Sequence, residues 1–347
     1  MKTVYVGMSG GVDSSVSAAL LKQQGYSVVG VYMKNWTADV AGVACPWRQD
    51  LADARAAAAK IDIPFKVFDF QSAYKRHVVD VMVAEYEAGR TPNPDVLCNQ
   101  EIKFKLFLQA ALADGADYIA TGHYAGTEQG RLLRAADPGK DQTYFLYRVT
   151  PAALARTIFP LAGLTKPEVR RLAAEFGLPT AKKPDSQGIC FVGEVGLREF
   201  LRQYITAAPG PIIDDQGEEL GQHQGAVFYT IGQRHGLGIG GGQPYYVTGK
   251  DMPANAVFVS KAAEVALASD SCIIADVHWI HSAPQAGRRY QLRSRHRAEL
   301  IDCQLEPAGP GRYRVHLGRA ERALTPGQSA VIYDGEEVVG GGIIASA

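Results

Sequence analysis

An α/β fold built on a doubly wound parallel sheet, followed by a small β-rich middle domain and a C-terminal β-barrel, is what the sequence predicts. Three observations predict it. Strand-like apolar runs alternate with helical stretches through the first half of the chain. The first of those strands breaks into Ser9-Gly10-Gly11 and then into a helical pattern. From Pro209 onward the texture changes to glycine and short strand-like runs. Strands alternating with helices of this length imply right-handed crossovers, and ligands of such sheets bind beyond the carboxyl ends of the strands.

Taken in order, residues 3–6 (Thr-Val-Tyr-Val) are a strand, and the tight turn that follows opens a helix. Residues 28–32 read as the second strand, 51–60 as an Ala-rich helix, and 65–70 as the third strand. A helix over 73–88 is stopped by Gly89, and another covers 102–113. Residues 117–120 are a strand ending in Thr121-Gly122-His123-Tyr124. The loops after Val6, Tyr32 and Ala120 should therefore converge on one site. Two more helices are expected near 166–176 and 196–204, then all-β character with turns at Asp215-Gln216-Gly217 and Asp334-Gly335. The divisions fall at 1–202, 203–270 and 271–347. Gly236-Leu-Gly-Ile-Gly-Gly241 matches a dinucleotide-binding pattern, but a strand-like run follows it, and that fingerprint must open a helix.

At 347 residues, 46% hydrophobic and 21% charged, the chain has the composition of an ordinary globular protein of two or three domains. Net charge is zero, so any nucleic-acid surface must be a local patch. No apolar stretch is long enough for a membrane span, and no signal peptide is evident. The five cysteines are widely spaced, with no Cys-x-x-Cys, which argues against a structural zinc site or a secreted disulfide framework. A reducing cytoplasm is the compartment expected.

Three segments carry chemistry. In Gly7-Met8-Ser9-Gly10-Gly11-Val12-Asp13-Ser14-Ser15, paired glycines let the backbone approach an anion, and the following helix aims its free N–H groups at the same spot. The plain alternative is a Gly-rich turn that binds nothing, for which Ser-Gly-Gly-x-Asp-Ser is an unusual composition. The Walker lysine is missing, and the pattern resembles instead the pyrophosphate-binding loop of the ATP pyrophosphatases. The second segment, Arg90-Thr-Pro-Asn93-Pro94-Asp95-Val-Leu-Cys98-Asn99, puts Asp95 and Cys98 on one face of a starting helix. Cys98 reads equally as a thiolate favoured by the helix N-terminus or as a buried structural cysteine. The third, 181–191, sets Cys190 after a polar loop with two lysines, where a thiolate is favoured.

With these segments on the page, the chain resembles the bacterial-type tRNA-specific 2-thiouridylases across nearly its whole length. The matching blocks are Gly7–Ser15, Met33-Lys-Asn-Trp36, Arg90–Asn99, Ala120-Thr-Gly-His-Tyr124, Lys140-Asp-Gln-Thr-Tyr-Phe-Leu146, Asp185-Ser-Gln-Gly-Ile-Cys-Phe191, Leu237-Gly-Ile-Gly-Gly241 and Pro326-Gly-Gln-Ser-Ala330. The resemblance implies an adenine nucleotide alpha-hydrolase-like catalytic domain that adenylates the C2 oxygen of a wobble uridine with ATP and Mg²⁺. It also implies that Gly7, Met8, Ser9, Gly10, Gly11, Val12, Asp13 and Ser14 cradle the phosphates, while Met33 and Gly122 line the adenosine pocket. Cys190 matches the persulfide carrier and Cys98 its transient disulfide partner. That pairing carries the expectation that the segment 180–191 rearranges when tRNA binds. Asn93, Pro94 and Asp95 match the target-base segment, with Asp95 an acid/base or orienting carboxylate. His123, Lys140, Asp141, Gln142 and Gln328 match tRNA-contacting positions. A sulfur-carrier protein or cysteine desulfurase is the implied partner besides tRNA.

Arg288, Arg289, Arg293, Arg295, His296 and Arg297 form a basic cluster in strand-like sequence, a local footprint suited to phosphate contacts. Arg295 and His296 are the tRNA-binding candidates there, standing where the family more often has Arg-Tyr. Two other readings stay open at this point. One is an ATP pyrophosphatase making an amide or guanidine bond on a small molecule, which needs neither motif cysteine. The other is a tRNA-binding protein with a relic nucleotide fold, which releases no pyrophosphate.

Overall fold

The computed structural model describes residues 1–40, 42–185, 196–240 and 242–347; Cys190, and with it residues 186–191 of the segment 180–191, lies outside the described residues. Strands β1 (Thr3–Gly7), β2 (Ser27–Lys34), β3 (Phe65–Asp69) and β4 (Tyr118–Ala120) form the first sheet. They are joined by β7 (Thr157–Ile158), in the order β3-β2-β1-β4-β7 and with every pair parallel. The strand order reverses between β1 and β4, and such a switch point is where an open α/β sheet binds its ligand.

Alternation along β1 divides the two layers. Val4 and Val6 face helices α1 (Val12–Gln23) and α2 (Trp47–Ile61), packing with Ala18, Leu21, Ala54 and Ala57. Tyr5 faces the other way, onto Phe104, Phe107, Leu108 and Ala111. Those residues belong to one continuous helix over 94–113, whose middle, Cys98–Leu106, is widened to π geometry. The helix expected to start near Asp95 and the one expected over 102–113 are thus a single helix that begins at Pro94, with Asn93 as its cap. The helix expected over 73–88 runs over 71–87, also with a π segment, Lys75–Val79.

The middle sheet has the order β10-β11-β8-β9, from β8 (Gly210–Ile213), β9 (Glu219–His223), β10 (Tyr246–Asp251) and β11 (Ala256–Ser260). Among the described residues, the Gly-rich run before β10 opens no helix and leads into a strand, as its sequence context predicts. Phe228, Val247 and Val257 of this unit share one core with Tyr74, Met82 and Cys98 of the preceding helices.

The C-terminal unit is a closed six-stranded antiparallel barrel. Strands β12 (Ala268–Trp279), β15 (Tyr313–Arg322), β14 (Ile301–Pro307), β13 (Tyr290–Arg293), β16 (Ser329–Asp334) and β17 (Glu337–Ser346) follow in that order, and β12 pairs back onto β17. A hairpin from the catalytic half, β5 (Gly126–Glu128) and β6 (Arg131–Leu133), extends this sheet. In it β6 pairs with β17 through Leu133–Glu337 and Leu132–Val338. Buried Leu132, Tyr144 and Tyr147 share a core with Val331, Tyr333 and Val338. Among the described residues no helix is long and apolar enough to cross a membrane.

Candidate active site

The turn after β1 has the shape its glycines predict. Gly10 sits at φ +78°, a left-handed conformation, with the Asp50 carbonyl where a Cβ would lie, so glycine is required on both counts. Gly11 caps α1, and no side chain occupies that cap, which leaves the helix N–H groups for an anion. Ser14 Oγ accepts from Ser9 N at 3.2 Å and donates to Gly11 O at 3.3 Å, bracing the loop from inside. Met8 and Val12 are buried, so their share in a cradle is backbone only. The loop after β4 closes against it: a Cβ on Gly122 would stand 2.7 Å from Ser14 N. On the other flank the Met33 methyl is 2.8 Å from a Cβ built on Gly7. Met33 and Gly122, expected at an adenosine pocket, therefore both border the loop after β1.

A lysine does reach this loop, from far along the chain. Lys166, the first residue of the helix Lys166–Glu175, places Nζ 2.6 Å from Asp13 Oδ1 and 2.9 Å from Asp185 Oδ1. Tyr124 Oη donates to the same Asp13 oxygen at 3.0 Å. Asp185 also pairs with Lys140 at 2.7 Å and Arg170 at 2.6 Å. Burial opposes ionisation of Asp185, yet hydrogen bonds from Lys140 and Lys166 outweigh it and hold the carboxyl well below the usual carboxylate range. Sequence reasoning missed Lys166, although Thr165 and Glu168 form a capping box. A cap marks a helix start, and helix starts here gather at the ligand end of the sheet.

The second segment docks beside this loop through His123. Asn93 Oδ1 accepts from Asp95 N at 3.1 Å and from Val96 N at 3.3 Å, fixing the helix start. Burial pushes the Asp95 carboxyl up from its ordinary value, against the pull of the Lys103 ammonium. Lys103 Nζ in turn lies 3.5 Å from His123 Nε2. Cys98 is 1% exposed among Tyr74, Val78 and Ile102, so it does not sit at an open helix end. The barrel holds this segment from behind. Thr91 N donates to Pro326 O at 3.0 Å, and Gln328 Nε2 donates to Thr91 O at 2.7 Å.

The residues expected at the RNA surface separate. Lys140 and Arg295 are accessible, Arg295 pairing with Glu321 at 3.2 Å. Gln142 Oε1 accepts from Tyr124 N at 2.9 Å, and Gln328 is spent on the Thr91 carbonyl. His123 is buried, its Nδ1 2.7 Å from Thr121 Oγ1 and its ring against Phe104. The Asp141 carboxylate is wholly buried, 3.4 Å from both Arg134 and Arg293, so this structure offers no side-chain contact from it to RNA. Arg293 corrects the reading of the basic cluster: it is buried where the barrel's outer face meets the first half of the chain, pairing with Asp141 and stacking over Tyr333. His296 lies half-buried against Phe145, ring centroids 4.6 Å apart.

Comparison with known proteins gives a consistent result. Residues 2–194 match the family model described as tRNA methyl transferase HUP domain. Residues 198–261 match the tRNA methyl transferase PRC-barrel domain, and 269–344 the aminomethyltransferase beta-barrel domain. The tRNA-specific 2-thiouridylase MnmA of Verminephrobacter eiseniae is 50% identical, over 99% of this chain and 98% of that protein. The protein of the same name from Methylobacillus flagellatus is 48% identical, over 100% and 99% respectively. That from Bordetella avium is 50% identical, over 98% and 97%.

Proposed function

The chain belongs to the tRNA-specific 2-thiouridylase family, and from that premise we propose how its site works as a tRNA-uridine 2-sulfurtransferase. The methyl transferase wording of the family models names a different reaction; the phosphate loop and the motif cysteines suit thiolation. ATP docks its phosphates on residues 7–14, with Met33 and Gly122 against the adenosine. The C2 oxygen of a wobble uridine attacks the α-phosphorus, pyrophosphate leaves, and the oxygen becomes part of an adenylate whose departure as AMP is easy. The observation that carries this reading is the loop 121–124. Its Gly122 presses on Ser14 of the phosphate loop, while the adjacent His123 meets Lys103 on the helix that carries Asp95 and Cys98.

Sulfur comes next. The terminal sulfur of a Cys190 persulfide attacks C2 as AMP leaves. The Cys98 thiolate then attacks Cys190 Sγ, forming the Cys98–Cys190 disulfide and releasing the sulfur on the nucleoside as 2-thiouridine. An external reductant, a thiol by class, resets the pair, and a sulfur-carrier protein or cysteine desulfurase reloads Cys190. Asp95, its carboxyl raised by burial, handles the proton or orients the base beside Asn93 and Pro94. RNA contacts fall to Lys140, Gln142, Arg295 and His296, with Gln328, His123 and Asp141 supporting them from inside.

No cluster of three metal-ligating side chains exists among the described residues, so a Mg²⁺ ion here would be held by carboxylate and phosphate together. Asp13 fits that role: both of its hydrogen bonds use Oδ1, leaving Oδ2 for a cation. Such an ion neutralises the charge of the leaving pyrophosphate. We place the catalytic domain at 1–202, the middle domain at 203–270 and the tRNA-contacting barrel at 271–347, in a cytoplasmic enzyme. Nucleoside mass spectrometry on unmodified tRNA incubated with ATP, Mg²⁺ and a sulfur donor tests the reading. A gain of 2-thiouridine is expected, and its absence with folded protein overturns it.

A further inference from the structure

We propose that Lys166 is the phosphate-binding cation of this site, held by Asp13 and Asp185 until the pyrophosphate portion of ATP displaces them. The proposal rests on the reading of the loop as an ATP site and deepens it by naming the cation that the loop lacks. Three observations carry it.

The first is position. Asp13 lies in the first turn of α1, next to Ser14, and Lys166 Nζ is 2.6 Å from its carboxylate. The ammonium thus stands one side chain away from the N–H groups and glycines that would cradle an anion. The second is preorganisation. The Lys166 side chain is 12% exposed, and its backbone N–H donates to Asp137 Oδ2 at 2.9 Å. Most of the rotamer entropy of a free lysine is therefore already lost before the nucleotide arrives.

The third is that both carboxylates can release the lysine without being stranded. Asp185 keeps Lys140 at 2.7 Å and Arg170 at 2.6 Å, and Asp13 keeps the Tyr124 hydroxyl at 3.0 Å. Removing one partner of a buried pair is costly when the other charge is left alone, and here neither is. Lys183 is the contrasting case. It binds Asp50 at 2.8 Å and Asp53 at 2.6 Å, and among the described residues no other cation pairs with either. Lys183 therefore holds α2 in place, whereas Lys166 is free to exchange. On the pyrophosphate its charge adds to the positive end of α1, where negative charge accumulates as the α–β bond breaks.

Isothermal titration of the full-length protein with inorganic pyrophosphate, and separately with AMP, both in Mg²⁺, tests this. Lys166→Gln should weaken pyrophosphate about thirty-fold, the size of a lost charge-assisted hydrogen bond, and leave AMP within about two-fold. A merely structural lysine would shift both ligands together. Equal shifts, or no shift, overturn the proposal. Asp185→Asn provides an arm that does not depend on how Lys166→Gln folds. It removes a competitor for the ammonium, so pyrophosphate should bind about three-fold tighter. Unchanged or weaker binding there also overturns it. Wild-type protein that binds ATP but not pyrophosphate refutes Lys166 alone, while wild-type protein that binds no ATP refutes the underlying reading and the proposal with it.

Discussion

Gly122 leaves no room for even a methyl group. A Cβ there would stand 2.7 Å from Ser14 N and 2.9 Å from the Asp13 carbonyl carbon, both backbone atoms that have nowhere to go. Gly122→Ala should cost about 1–3 kcal/mol of stability by overpacking. It should also weaken ATP at least about tenfold in calorimetric titration; unchanged affinity would mean that the nucleotide sits elsewhere. Burial, with Arg297 and Arg293 nearby, pushes His296 down to about 4. Between its ordinary value of about 6.5 and that folded value, the unfolded chain takes up a proton that the folded chain refuses. Stability is therefore full above this window and falls as pH drops through it. His123, His223 and His278, also held low by burial, act in the same direction. His296→Tyr should shrink the drop in melting temperature between about pH 7.5 and about pH 5, and an identical drop would remove His296 from the account. The glycine turn after β1 and the helix start at Asn93–Asp95 were legible because their signals are local, a few residues of turn or cap chemistry. Lys166 was not, since 153 positions separate it from Asp13 and only the fold joins them.

At the scale of elements, the helix over 94–113 and the turn Pro326–Ala330 explain each other. The turn has no catalytic group of its own, and its value lies in holding the carbonyl of Thr91 through Gln328 Nε2. Gln328→Ala should cost about 1 kcal/mol, because that carbonyl loses its donor. Thiolation should slow while ATP affinity stays unchanged; a fall in ATP affinity of the same size would place the effect in the nucleotide half instead. Helix and strand types were readable from periodicity, but continuity was not: the helices expected near Asp95 and over 102–113 are one, joined through the π segment Cys98–Leu106. Within the basic cluster, Arg293 was misjudged for a related reason. Strand alternation sends Leu292 into the barrel and Arg293 to its outer face, and what buries it there, Asp141 and Tyr333, lies on other elements.

Across the whole molecule, the three units are not beads on a string. Tyr144 of the catalytic half donates to the Ser329 carbonyl of the barrel at 2.9 Å, and Leu132 and Tyr147 are fully buried in the core the two share. Calorimetry should accordingly show the catalytic half and the barrel melting in one transition, and two separate transitions would contradict the shared core. Deleting the barrel should leave an aggregating remainder rather than a working catalytic domain, which gel filtration of the truncated chain checks. The sequence divides the chain by texture and shows nothing of this interlock, because the contacts that make it are long-range. The β6–β17 pairing has a mechanical meaning. A sheet that runs from one unit into the next works as a hinge pin that has been welded: β6 is a strand of the barrel's sheet as much as of its own hairpin. Swinging the barrel away from the rest of the chain would therefore tear open those strand pairs together with the core that both halves share.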